Sequence, residues 1–346
     1  YAGVSRGNQI VIVGETGPDP FFDRELCDIV AREAQQMGCE ATIIMVSPMT
    51  ANGELPKDLT KAMETADVTI FFTRLGDQLR FTPLPGSGKK IMTYTVTREH
   101  LGTAFGLADY HIGKEILQRL MDTLINARSY HFKAPCGTNL ISQMQASDEF
   151  LEASQRVTNF SVDLFPEMIF PPITCLNMEG KLVIRHFLLS TSTRIYENSA
   201  PIIKSDVIAT VEDSRMIAFE GDPIEVKVIK NQLEKAAAIT GGDPYIINSW
   251  HTGINPNTFF HGNPYSNLEH WGTVAFGSPR YTHLHCAGND PGDVSLQLFD
   301  ATITCDGEIL WDNGQFVFLD KPEIKSILQA NKGGAEMINA SREIGI

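Results

Sequence analysis

The histidines of this chain are concentrated in one stretch. Five of the nine lie between positions 251 and 285: His251, His261, His270, His283 and His285. An even distribution would place about one histidine there. Imidazoles that are brought together in a partly dry pocket repel one another when protonated and lose hydration. Such a cluster is therefore typical of a metal site or of proton-transfer chemistry.

The spacing of these residues indicates how they could meet. Tyr281, His283 and His285 occupy alternate positions, and residues two apart on a strand leave the same face about 7 Å apart. His251 stands where the apolar run YIINSW passes into a loop, and Asp293 begins a second alternating segment. We expect His251, His283, His285 and Asp293 to bind one metal ion. Two histidines with a carboxylate form the facial triad of non-haem Fe(II) enzymes, whereas three nitrogens with water suit Zn²⁺.

Two further residues of the stretch could move a proton. Tyr281 shares the predicted face of His283, and His261 lies in the loop segment FHGNP. For His261 a site role and a loop-fixing hydrogen bond are both open interpretations. His270 has an acidic neighbour and is predicted to be structural or exposed.

Composition limits the partners of the chain. The net charge of −14, with no dense run of Lys or Arg, excludes a nucleic-acid backbone as the main partner. No apolar run approaches 18 residues, so no membrane span is expected. The six cysteines are widely spaced without a Cys-x-x-Cys pair, which favours free thiols in a reducing cytoplasm. A small-molecule substrate is the expected partner.

The pattern of apolar residues changes near residue 130 and divides the chain into two regions. Residues 1–130 alternate apolar β-branched runs with helical patterns and predict a doubly wound α/β domain, with strands near 9–13, 41–46, 68–72 and 90–95. Residues 131–320 contain many strand-like segments and a single convincing helix near 225–238, which predicts an α+β domain with mainly antiparallel sheet. Residues 321–346 read as a C-terminal helical tail.

Short motifs in the second region resemble a known superfamily. In order and spacing the chain is similar to the aminopeptidase T-type metallopeptidases and to the iron-dependent 2,5-dihydroxypyridine 5,6-dioxygenases, which share a fold. The likeness covers about residues 130 to 320. It is carried by five segments: Gly137-Thr138-Asn139-Leu140, Gly253-Ile254-Asn255-Pro256, Gly272-Thr273-Val274, Phe276-Gly277 and Asp306-Gly307. The resemblance implies a metal-dependent enzyme and a homodimer.

The chain departs from the superfamily at the expected metal ligands. The peptidases have a glutamate at Ser249, a histidine at or beside Ala275, and a His-x-Asp pair where this chain has Asp293-Val294-Ser295. The dioxygenase ligands fall at Ser249, Asp293 and Ser295. Glu167 does resemble a peptidase glutamate ligand. We therefore expect a site in the same cleft that is rebuilt from shifted histidines.

Three functions are compatible with these residues. The first is a mononuclear non-haem iron dioxygenase that opens a small aromatic or N-heterocyclic ring, with Fe(II) as the metal and His261 or Tyr281 moving the proton. The second is a metallohydrolase of aminopeptidase or amidase type, in which Zn or Mn activates water and Glu167 or Asp293 takes the proton. The third is a metal-free binding protein, or an enzyme that uses the histidines for acid and base work alone.

Overall fold

A computed structural model describes residues 1–346 except 19, 144–155, 192–193, 289–291, 333 and 338–341. The chain divides into two compact units. The first contains Tyr1–Tyr110 and Asn159–Glu167, and the second contains His111–Thr158, Met168–Thr191 and Tyr196–Ile346. The predicted two-part fold class, an α/β domain followed by an α+β domain with mainly antiparallel sheet, is confirmed.

The division falls at other residues than 130 and 320. Residues 111–125 are helical and lie inside the predicted first domain of residues 1–130, but they belong to the second unit. There the hydroxyl of Tyr130 donates to the carbonyl of Leu124 over 2.6 Å. The C-terminal residues belong to the second unit as well, since the indole of Trp271 donates to the carbonyl of Ile344 over 2.6 Å. The helical tail is therefore packed as part of that unit.

The elements up to residue 125 alternate strand and helix. In chain order they are β1 Gln9–Glu15, α1 Glu25–Gln36, β2 Glu40–Val46, α2 Lys57–Thr65, β3 Val68–Phe72, α3 Arg74–Gln78, β4 Lys89–Thr93, α4 Arg98–Gly102, α5 Ala104–Leu107 and α6 Tyr110–Ile125. The four strands are parallel, as the apolar run of β1 predicts.

The described elements after residue 125 are mostly strands. They are β5 Ser129–Lys133, β6 Asn139–Gln143, β7 Asp163–Phe165, β8 Ile173–Thr174, β9 Met178–Ser190, β10 Ile202–Glu212, β11 Arg215–Glu220, α7 Pro223–Thr240, β12 Asp243–Thr252, α8 Leu268–Ala275, β13 Tyr281–Gly288, β14 Val294–Phe299, β15 Thr302–Cys305, β16 Glu308–Trp311 and α9 Pro322–Ala330. No helix among the described residues is both long enough and apolar enough to cross a membrane.

The first unit is a five-stranded parallel sheet in the order β2-β1-β3-β4-β7. The order reverses between β1 and β3, and open α/β sheets commonly bind ligands at such a point, beyond the carboxyl ends of the strands. Here Glu15 ends β1 and its buried carboxylate accepts from the side chain of Arg74, at 2.7 Å, and from the Arg74 backbone N–H, at 3.0 Å. An internal ion pair therefore occupies this position.

The second unit is a large antiparallel sheet with β12, β13, β14 and β9 as consecutive neighbours. An additional pairing of β9 with β10 closes a ring of six strands, β10-β11-β12-β13-β14-β9. One face of these strands is apolar, since Trp250, Leu284, Leu296 and Leu188 lie side by side in register and are at most 1% exposed. The alternation of strands leaves the opposite face to polar residues.

Helix α7 packs along β10, β12 and β13. The helix begins at Pro223 and ends at Thr240, two residues beyond the predicted 225–238 at each end. Asp222 caps it by accepting from the N–H of Ile224 over 2.7 Å, and proline suits the first helical position. The residue after the helix is Gly241, whose φ of 80° is readily adopted only by glycine.

The six cysteines are free thiols, as their spacing predicts. Burial raises the pKa of Cys305 to about 12, with Asp306 and Glu308 adding to the shift. Only the thiolate reacts with alkylating agents, so Cys305 remains protonated and slow at pH 8. We expect iodoacetamide to label the partly exposed Cys136 at least about tenfold faster than Cys305 in the native protein. Peptide mass spectrometry measures both rates, the urea-unfolded chain is the control, and equal native rates would contradict the prediction.

Candidate functional site

The polar face of β12, β13 and β14 carries two rows of side chains. Ser249 pairs with His285, which pairs with Ser295. The next row runs from His251 to His283 to Gln297, as the alternation in the sequence predicts for β13. Directly opposite residues on antiparallel strands project to the same side. All six side chains are buried: Ser249, His251, His283, His285, Ser295 and Gln297.

Three imidazole rings meet on this face. The ring centroid of His251 lies 5.1 Å from that of His283 and 4.7 Å from that of His285, and the last two rings are 6.2 Å apart. The three side chains are at most 2% exposed. Because like charges repel strongly in a buried site, such a group is stable only where most of its rings are neutral. The structure thus brings together three of the four predicted metal ligands.

His251 is held by the backbone. Its Nδ1 lies 3.2 Å from the carbonyl oxygen of Phe170, and a carbonyl only accepts, so Nδ1 carries a proton. The crowding of three buried imidazoles favours the neutral form of this ring. Nε2 then has the lone pair. A backbone carbonyl that orients an imidazole in this way is common behind metal ligands and behind general bases.

The segments that carry the resemblance also shape this site. Gly253 follows β12, and a Cβ on it would lie 2.2 Å from the backbone of Gly277, so the two segments approach as only glycine allows. The N–H of Asn255 donates to the carbonyl of Gly277 over 3.0 Å. This contact fixes Phe276, whose ring centroid is 5.2 Å from those of both His251 and His283.

The side chains do not form a ready ligand set for a metal. Within the described part of the chain, no group of three or more His, Cys, Asp or Glu side chains is arranged to hold a metal ion. Imidazoles that share one ion at a metal–nitrogen distance of about 2 Å have ring centroids roughly 5 Å apart. Two of the three pairs meet this spacing, and the pair of His283 with His285 is wider. The carboxylate of Asp293 accepts from the hydroxyl of Thr191 over 3.1 Å.

Tyr281 lies beside the histidines and is fully buried. Its ring centroid is 3.9 Å from that of His283, it stacks on Phe299 at 5.3 Å, and Trp271 packs against it at 4.9 Å. Burial raises the pKa of the Tyr281 phenol well above its usual value, so the group is a neutral hydroxyl at pH 7. A neutral phenol can donate a hydrogen bond to a ligand.

The sequence also predicts His261 and Glu167 as proton-transfer residues. His261 is exposed and its ring packs 5.0 Å from that of Phe259. Glu167 belongs to the first compact unit, where burial and then the charge of Glu167 raise the pKa of the Tyr1 phenol above its usual value. Gln297 has no distinctive signal in the sequence beyond its alternation with Asp293 and Ser295.

Comparison with known proteins finds a similar fold. No protein-family model matches the sequence, and no curated protein matches it. Among solved structures, the chain is similar over 93% of its length to a dioxygenase, with a TM-score of 0.59 and 12% identity. That protein is the 2,5-dihydroxypyridine dioxygenase of Pseudomonas putida KT2440, and the similarity covers 94% of its chain. At this identity the likeness shows the fold alone.

Proposed function

We propose that this protein is an enzyme that oxidatively opens a small aromatic or N-heterocyclic ring, and that His251, His283 and His285 form its active site. The single observation that carries the proposal is the meeting of three buried imidazoles on one sheet face. The fold similarity to a dioxygenase over nearly the whole chain supports the same class of reaction.

The chain's own residues supply proton transfer and binding. His251 has Nδ1 engaged by Phe170, which leaves Nε2 to accept a proton from a substrate hydroxyl. His283 and His285 lie beside His251 on the same buried face, with ring centroids 5.1 and 4.7 Å from that of His251. Phe276 and Tyr281 present ring faces and edges beside His283, a surface that suits a planar aromatic substrate.

Fe(II) is the cofactor that we propose, with Zn or Mn as alternatives. Nitrogen-rich ligands accept all three metals, so the residues alone do not choose among them. As they stand, the side chains that the structure describes do not form a ligand set. Metal binding therefore requires that at least one imidazole turn from its present position.

A metal-free enzyme that uses the histidines as acid and base is the second candidate. It is favoured by the absence of a ligand set among the described residues and by the packing of His283 against the rings of Tyr281 and Phe276. In that case His251 is the base, because its Nε2 holds the lone pair.

The experiment combines metal analysis with oxygen uptake. Protein purified without chelator is analysed for metal, loaded anaerobically with Fe(II), and mixed with O₂ and a panel of dihydroxypyridines and dihydroxybenzenes. We expect about one metal per chain and substrate-dependent oxygen consumption. Amide and peptide substrates are assayed in parallel. If they are cleaved while no oxygen is consumed, the chain is a metallohydrolase and the proposal is wrong; turnover without bound metal favours the acid and base enzyme.

A further inference from the structure

Two buried polar atoms beside His283 have no hydrogen-bond partner among the described residues. They are the hydroxyl oxygen of Tyr281 and the amide oxygen Oε1 of Gln297. Tyr281 is 0% exposed and Gln297 is 4% exposed. Buried polar atoms of native proteins are nearly always hydrogen-bonded, so two such atoms at one site need an explanation.

A hydrogen bond to a backbone carbonyl fixes the orientation of the Gln297 side-chain amide. Its Nε2 donates to the carbonyl oxygen of Ser295 over 2.8 Å. Turning the amide over would place Oε1 against that carbonyl, and two acceptors repel. Oε1 is thus the atom that remains for another group, and it can only accept.

Tyr281 is held equally firmly. Its ring lies between Phe299, stacked at an interplanar angle of 7°, the edge-on ring of His283 and the tilted ring of Trp271. The packed rings prevent the side chain from swinging toward a protein acceptor. Its hydroxyl, which is neutral when buried, can donate to a ligand.

The strand register places both groups on one side of the sheet. Tyr281 precedes His283 by two residues, and Gln297 is directly opposite His283 in an unbroken ladder. Tyr281 and Gln297 are therefore diagonal cross-strand neighbours, about 7 to 8 Å apart at their Cα atoms and within mutual reach of long side chains. Both project to the face of the three imidazoles.

We propose that Tyr281 and Gln297 are the specificity-determining pair of the histidine site, with Tyr281 donating to an acceptor on the ligand and Gln297 accepting from an N–H or O–H. The ligand class is a planar ring compound that carries at least one such donor and one acceptor. This inference rests on the proposed function for the location of the ligand. Beyond that function, Tyr281 and Gln297 are named as the protein groups that recognise the ring.

The test measures binding and stability separately. Isothermal titration with 2-pyridone, which has a donor and an acceptor, is compared with N-methyl-2-pyridone, which lacks the donor. We expect Tyr281→Phe and Gln297→Leu each to weaken 2-pyridone binding about tenfold, the effect of one lost hydrogen bond. Gln297→Leu should also remove the preference for 2-pyridone over its N-methyl derivative, whereas Tyr281→Phe should retain it.

Stability distinguishes recognition from a structural role. Because the Tyr281 hydroxyl has no partner among the described residues, Tyr281→Phe should not lower the midpoint of urea unfolding. The matched control Tyr130→Phe removes a hydroxyl that donates to Leu124 over 2.6 Å, so it should lower the midpoint and leave ligand binding unchanged. A lower midpoint for Tyr281→Phe with unchanged affinity would overturn the proposal.

The outcomes also separate this inference from the proposed function. If the wild type consumes oxygen with ring substrates and both variants bind 2-pyridone as tightly as wild type, Tyr281 and Gln297 are not the specificity-determining pair. The proposed function then stands. If the variants weaken binding but no ring compound is transformed, the pair is supported and the enzymatic function is wrong. A wild type that binds no ring compound overturns both.

Discussion

Replacing either His283 or His285 by glutamine is expected to reduce turnover of a ring substrate by about 10²- to 10⁴-fold, the usual contribution of a positioned acid or base. The ring centroids of His283 and His285 lie 5.1 and 4.7 Å from the ring centroid of His251. Each variant therefore removes one of the three groups that can hold or pass a proton. Glutamine is chosen because it fills a similar volume and limits repacking. Oxygen uptake and product formation under saturating substrate measure the effect.

The matched control is His131→Gln. His131 lies on β5, where its Nε2 meets the side chain of Asn139 at 2.6 Å, and it has no place in the histidine face. We expect its turnover to stay within about twofold of wild type. Unfolding midpoints are recorded for all three variants. If His283→Gln and His285→Gln fold normally and keep wild-type turnover, the histidine site is wrong.

Trp250→Ala is expected to lower the free energy of unfolding of the second unit by about 3 to 5 kcal/mol. Trp250 is 0% exposed, and its ring contacts those of Tyr130, Phe132, Phe170 and Trp311 at centroid distances of 4.9 to 6.3 Å. Truncation leaves a cavity among rings that cannot collapse into it, because each is held by the others. Such a loss is a large share of a typical domain's stability.

Tryptophan fluorescence in urea measures this change. The three tryptophans of the chain, Trp250, Trp271 and Trp311, are all in the second unit, so the signal reports on that unit even if the two units unfold separately. The control is Ile309→Ala, at a position that is 47% exposed, where we expect a change below about 0.5 kcal/mol. A loss below about 1 kcal/mol for Trp250→Ala would contradict the packing described.

The fold class could be predicted because local patterns decide it. The apolar runs at residues 9–13 and 68–72 are buried on both faces of a parallel sheet, and such runs need no knowledge of distant residues. Other assignments depend on distant contacts. Strand β7 has only three residues, and it is recognisable only through its pairing with β4. The helix α6 has a regular stripe, but nothing local shows to which unit it belongs.

The site could be predicted only in part, for the same reason. The two-residue spacing of His283 and His285 fixes their common face, and the register with β12 adds His251. Side-chain direction across loops has no such signature. His261 is exposed, and Glu167 belongs to the first compact unit, because tertiary packing decides both positions. Gln297 was missed because an uncharged amide has no distinctive chemistry until its neighbours are known.

The closed ring of six strands protects the register of β13, and that register determines the face to which His283 and His285 project. A slip of β13 by one residue would turn His283 and His285 away and bring Leu284 into the polar cluster. Because β13 is bonded to β12 on one side and β14 on the other, such a slip would break two hydrogen-bonded ladders together. Substitutions on the polar face of β12, β13 and β14 can therefore change the chemistry of the site while β13 keeps its register.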